Sequence, residues 1–197
     1  SADLEYVIGE LIGELATSHT YVAGGERRRK AERVGVGMLG ADYEIDKAAN
    51  RYRFRRILRE SDWTAGAYAP LARPGVDVRE GDYLLEVNGA DVTASREIYS
   101  YFQDLAKKQV VLLVNDRPAV EGAREVVVEP AGGESLLRYL DWVERNRRAV
   151  EEASGGRIGY VHLPDTFTGA ATMFGRMYYA QTKKEGLILD GRFNNGG

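Results

Sequence analysis

Cysteine is absent from all 197 residues. Disulfide staples, thiolate nucleophiles and thiolate metal sites are therefore excluded, and a thiol-free chain fits a reducing, cytoplasmic setting. Long apolar runs are missing as well. No stretch approaches the roughly 18 residues of a membrane-spanning helix, and no charged-then-apolar leader opens the chain. Neither sign of charge dominates: 27 Lys and Arg stand against 30 Asp and Glu, a formal net charge of −3. That balance offers no broad attraction to nucleic acid or to an anionic membrane. Histidine is limited to His19 and His162, and acids such as Asp42, Asp46 and Asp62 lack a metal-ligand spacing. Neither a metal nor a cofactor is expected, and there is no internal repeat or low-complexity tract.

What is present suits an ordinary globular protein. Hydrophobic residues make up 44%, enough for a core, and the length exceeds a typical single domain of roughly 100–150 residues. One basic cluster, Glu26-Arg27-Arg28-Arg29-Lys30, reads as a solvated loop or, alternatively, an anion contact. The chain begins at Ser1-Ala2 without methionine and stops at Gly196-Gly197, directly after a strand pattern. Both ends read as cut from something longer.

Three organisations succeed one another. Leu4, Val7, Ile8, Leu11, Ile12 and Leu15 recur at helical spacing and predict an amphipathic helix that fades at Thr17-Ser18-His19-Thr20, before Gly24-Gly25. Short β-rich runs follow at 34–45, 52–58, 83–87, 110–115 and 125–129, with Asn88-Gly89 as a turn. A helix is expected at 95–108, capped by Ser95, with Ile98, Tyr99, Phe102 and Leu105 on one face. After Gly132-Gly133, a long helix at 134–153 buries Leu136, Leu137, Leu140, Val143 and Val150, and Gly155-Gly156 ends it. Strand 157–163, helix 168–184 and strand 186–192 then read as a βαβ crossover. Leu187-Ile188-Leu189 predicts a strand covered on both faces.

Two short signals carry chemistry. Ser18-His19 could supply a general base with a hydroxyl that holds its tautomer, or it could be a polar helix end. Asn194-Asn195-Gly196-Gly197 follows a strand whose carboxyl end is where ligand sites gather in parallel sheets; its glycine N–H groups could form an oxyanion hole, or the segment could be a plain turn. His162 reads as a satisfied core or edge histidine. Trp63, Tyr68 and Tyr178-Tyr179 read as packing or groove lining.

The middle segment carries a resemblance. Ala69-Pro70-Leu71-Ala72-Arg73-Pro74-Gly75, then Gly81-Asp82-Tyr83-Leu84-Leu85-Glu86-Val87-Asn88-Gly89, resembles the PDZ domains of bacterial proteases. Val34-Gly35-Val36-Gly37-Met38-Leu39-Gly40 looks like their carboxylate-binding loop, with Gly37, Met38, Leu39 and Gly40 as the peptide-binding positions. Glycines there let backbone N–H groups converge on a carboxylate beside a sheet edge that could accept a peptide strand. Asp42, just beyond, would oppose a peptide C-terminus, so a rigid PDZ spacer is the competing reading.

The flanks resemble tricorn-type serine peptidases: the helix and histidine loop around Ser18-His19, the stretch from Arg138-Tyr139-Leu140-Asp141-Trp142 to Pro164-Asp165, and the closing Asp190-Gly191-Arg192-Phe193-Asn194-Asn195-Gly196-Gly197. The resemblance implies His19 as general base, Ser18 as the hydroxyl orienting it, and Gly196 or Gly197 as an oxyanion-hole donor. The family's nucleophilic serine and its glutamate lie further along, so the chain is expected to be inactive alone. Peptide substrates and a homo-oligomeric parent are also implied. The expected fold is α+β: a PDZ-like, partly open barrel at 33–130, preceded by a helical piece at 1–32 and followed by the start of an α/β catalytic subdomain at 131–197. The competing function is a non-catalytic peptide-binding or structural module.

Overall fold

A computed structural model describes residues 2–22, 34–59 and 67–197. The basic cluster at 26–30, Gly24-Gly25, Asp62 and Trp63 lie outside the described residues. The chain divides into two units, Ser1–Val34 and Gly35–Gly197.

The first unit is built on helix α1 (Ala2–Gly13). Its apolar stripe is exposed, with Leu4, Val7, Leu11 and Leu15 each more than half accessible. Beyond Gly13 the chain turns, and both Ala16 and His19 take left-handed backbone conformations, φ 47° and 61°. An αL residue ends a helix because no further turn can be added on it.

In the second unit, local turn chemistry sets the strand pairing. Asp46 closes strand β1 (Ala41–Asp46) by accepting the Ala48 and Ala49 N–H groups, which starts the return along β2 (Arg51–Ile57). Asn88 and Gly89 both take positive φ, the requirement of a tight type I′ turn between β3 (Tyr83–Val87) and β4 (Ala90–Asp91). Gly81, at φ 94°, donates to the Phe54 carbonyl, and Asp82 beneath it accepts the Arg79 N–H and pairs with Arg124. The Gly-Asp dipeptide thus knots three segments. With β5 (Val110–Asn115) and β6 (Arg124–Val128), these strands form an antiparallel open sheet in the order β1-β2-β3-β5-β6, with β4 on β3. Among the described residues it does not close into a barrel, and β1 is an edge. Phe54, Leu84, Val92, Phe102, Val110, Leu112 and Val114 fill its core; each such side chain contributes roughly 1.5–3 kcal/mol by leaving water.

The helix expected at 95–108 is not formed. A short 3₁₀ turn spans Ile98–Phe102, and its cap is the Glu97 carboxylate, which accepts the Tyr99 N–H; Ser95 instead bonds Asn50. Tertiary pairing outcompetes the helix. Asp104 N–H donates to Gly35, Lys107 N–H donates to Pro130, and the Phe102 carbonyl accepts from Gly37. Asp104 and Lys107 also sit at positive φ, which an α-helix cannot accommodate.

Helix α2 (Ser135–Ala153) buries Leu137, Leu140 and Val143, whereas Leu136 is exposed. Strand β7 (Ile158–His162), helix α3 (Thr168–Tyr179) and strand β8 (Gly186–Asp190) form the crossover, with β7 and β8 parallel and in register from Ile158↔Gly186 to His162↔Asp190. Helix α3 stops short of 184 because Gln181 turns inward: its side-chain amide accepts the Tyr160 N–H and donates to the Tyr160 carbonyl. The expected double covering of β8 is absent among the described residues. Both helices pack on β7, which leaves Ile188 and Leu189 about half exposed at the sheet edge. No helix among the described residues is long and apolar enough to cross a membrane.

Candidate functional site

Ser18 and His19 follow α1 in an exposed turn of the first unit. His19 Nδ1 faces the Tyr21 hydroxyl at 3.5 Å, the long limit of a hydrogen bond. The residues proposed for the oxyanion hole and for peptide binding belong to the second unit.

The Gly196-Gly197 segment is held by a chain of polar contacts that begins at the ends of β7 and β8. Asp190 is buried, and it accepts the Tyr160 hydroxyl at 2.6 Å, the Arg192 backbone N–H at 3.0 Å and the Arg192 guanidinium at 2.6 Å. The Arg192 guanidinium holds the Asp190 carboxyl well below the usual carboxylate range, against the opposing effect of burial. The Tyr160 hydroxyl is pushed up to about 12, by burial first and by Asp190 second. His162 is 1% exposed, and its Nε2 lies 2.7 Å from the Arg192 carbonyl while its Nδ1 lies 2.8 Å from the Tyr139 hydroxyl. A carbonyl only accepts, so Nε2 donates to Arg192, and in the tautomer that carries its proton there Nδ1 accepts from Tyr139. Burial, with the Asp165 charge behind it, pushes Tyr139 up to about 12, which keeps that hydroxyl a donor.

From Arg192 the backbone passes through Phe193 at φ 59°. Asn194 then staples the loop: its Nδ2 donates to the Leu163 carbonyl at 2.9 Å and its Oδ1 accepts the Gly196 N–H at 2.7 Å. The Gly196 carbonyl accepts the Thr166 N–H, and a β-carbon on Gly197 would lie 2.5 Å from Thr166 Oγ1. These glycines allow close approach to the loop after β7. Beside them lies a pocket of about 480 Å³ walled by Tyr139, Trp142, His162, Pro164, Phe193 and Asn195. Trp142 packs edge-on to His162 at 4.9 Å and carries the Arg192 guanidinium over its face at 5.2 Å.

The 37–40 loop is enclosed by its own chain. Gly37 N–H donates to the Phe102 carbonyl at 2.9 Å, and Met38 exchanges two backbone bonds of 2.8 Å with Ala131. Leu39 is 2% exposed in the core. Gly40, at φ 71°, donates its N–H to Glu134 Oε2 at 3.1 Å. Glu134 Oε1 accepts from Arg138 Nε at 2.6 Å, and Arg138 reaches on to Asp42 at 2.7 Å and the Ala41 carbonyl at 3.1 Å. Burial opposes the Arg138 charge, but Asp42 and Glu134 outweigh it and raise the group's pKa. Asp42, which the sequence sets beside the loop as an uncompensated acid, is thus paired.

Sequence reasoning did not single out Glu134; it named Asn194 within the Asn194-Asn195-Gly196-Gly197 signal but not its stapling role, and it quoted Arg138 and Tyr139 only as part of a family stretch. The available signal was the spacing of Glu134 and Arg138, four apart at a helix start just after Gly132-Gly133.

A family model described as the tricorn protease PDZ domain matches residues 37–132. The chain is 36% identical over 196 residues to a tricorn protease homolog of Saccharolobus solfataricus, an alignment covering 99% of this chain and 18% of that protein. It is 31% identical over 196 residues to the tricorn protease of Thermoplasma acidophilum, again 99% of this chain and 18% of the other. It therefore spans about a fifth of the length of these curated relatives. A crystal structure of the tricorn protease superposes with a TM-score of 0.82 at 30% identity, covering 100% of this chain and 19% of that one. Aligned almost end to end with these proteases, and matched through its middle by their PDZ model, the chain belongs to the tricorn protease family.

Proposed function

We propose that this chain is the histidine- and PDZ-bearing segment of a tricorn-like serine endopeptidase that hydrolyses short peptides through an acyl-enzyme. The observation that carries this reading is the alignment of 99% of the chain, flanks as well as PDZ domain, with tricorn proteases. In the mechanism, His19 takes the proton of a serine hydroxyl supplied by sequence beyond Gly197 and returns it to the leaving amine. Ser18 holds the His19 ring in the tautomer that accepts. A backbone N–H of Gly196 or Gly197 stabilises the oxyanion of the tetrahedral intermediate. Gly196 serves that role only by releasing the Asn194 amide oxygen that now accepts its N–H. The PDZ domain, at 33–130, positions peptides through the 37–40 loop. The parent is a cytoplasmic homo-oligomer, and this segment alone is inactive.

The experiment is labelling with a fluorophosphonate probe of the full-length parent, its His19→Ala variant and this 197-residue chain. Labelling of the parent alone is expected. An unlabelled parent sinks the peptidase reading in favour of a non-catalytic module. A structural PDZ is the second reading, and the enclosure of the 37–40 loop by its own chain favours it for this segment.

A further inference from the structure

A carboxylate already sits on the loop that would receive a peptide's C-terminus. Glu134 comes from 94 residues further along the chain, and its side chain is only 10% exposed. Its two oxygens divide their work, Oε2 taking the Gly40 N–H and Oε1 taking the Arg138 guanidinium. A peptide carboxylate docks in the same way, on loop N–H groups with a cation nearby. The surroundings fit that comparison. The loop leads directly into β1, a sheet edge, and the Tyr43 and Tyr99 rings meet edge-on at 6.3 Å beside it. Burial and then the Glu134 charge raise the Tyr99 hydroxyl.

We propose that Glu134 is the resident ligand of the 37–40 loop, an internal carboxylate that a peptide C-terminus must displace, with Arg138 as the catch that holds it. Arg138 is itself anchored by Asp42 and the Ala41 carbonyl, so the catch remains in place when Glu134 leaves. Removing Glu134 therefore frees the Gly40 N–H and leaves a guanidinium beside it, 37% exposed, to meet an incoming carboxylate. The proposal rests on the reading of 37–40 as a peptide loop, and its test separates the two.

The test is fluorescence anisotropy on this 197-residue chain with fluorescein-labelled peptides ending in an apolar residue, each as free acid and as C-terminal amide. The unaltered chain is expected to distinguish acid from amide by less than two-fold. Glu134→Ala is expected to bind the free acid at least ten-fold more tightly than the unaltered chain does, and at least ten-fold more tightly than it binds the amide. Glu134→Gln, which keeps the side-chain shape and a neutral acceptor, should gain about three-fold, and it carries the test if the alanine variant loses its far-UV circular dichroism. Equal, carboxylate-dependent binding by all three proteins overturns the internal-ligand proposal and leaves the peptide loop standing. No carboxylate-dependent binding by any folded variant overturns both.

Discussion

Gly37 and Gly40 were legible in the sequence as loop glycines, but the reason for them was not. A β-carbon on Gly37 would lie 2.7 Å from Pro130 Cβ and 3.2 Å from the Leu105 backbone, and one on Gly40 would lie 2.9 Å from Leu137. Backbone does not yield as a flexible side chain does. Gly37→Ala is therefore expected to destabilise the chain by about 1–3 kcal/mol. Gly175→Ala, in α3 with nothing near its β-carbon, should be neutral or stabilising by up to about 1 kcal/mol. Urea denaturation of the two variants beside the parent chain decides this. A Gly37→Ala midpoint equal to that of Gly175→Ala would mean that the loop is looser than its packing indicates. Sequence alone could not separate these glycines, because the partners of Gly37 lie 65 residues and more away. Glu134 was missed for the same reason: locally it is a solvated acid at a helix start, and only the fold brings it to Gly40.

Elements were read best where a single period governs them. β3, β5 and α2 lie within a residue of expectation. The segment at 95–108 shows the limit. Its apolar spacing is helical, yet its backbone groups are claimed by Gly35, Gly37 and Pro130. Strand β8 shows the converse, an apolar run that suits two covered faces in a strand that, among the described residues, pairs on one side only. Exposed apolar edges of this kind template pairing with other chains. Leu189→Lys is expected to reduce self-association of this chain, seen by static light scattering at rising concentration, while shifting the denaturation midpoint little because Leu189 is 55% exposed. Unchanged scattering would exonerate β8.

At the scale of the molecule, acid sensitivity should concentrate in the α/β half. Asp190 is buried, and its carboxyl is held low by Arg192 and Tyr160. A carboxylate with a depressed folded pKa contributes stability in full above its unfolded value near 4, and loses it as pH falls toward the folded value. Stability measured by denaturant titration should thus fall as pH drops below about 4, and Asp190→Asn should flatten that limb while costing about 1–3 kcal/mol at neutral pH. An unchanged acid limb in the variant would assign the sensitivity to other carboxylates.

Arg138 and Tyr139 are consecutive residues on α2, yet they grip different loops of the second unit. Arg138 holds Glu134 and Asp42 at the mouth of the 37–40 loop. Tyr139 holds His162, whose other nitrogen holds the carbonyl of Arg192 at the root of the Gly196-Gly197 loop. A helix turns as a rigid rod, so any roll of α2 about its own axis moves both grips in the same instant. The two loops are hung on one axle.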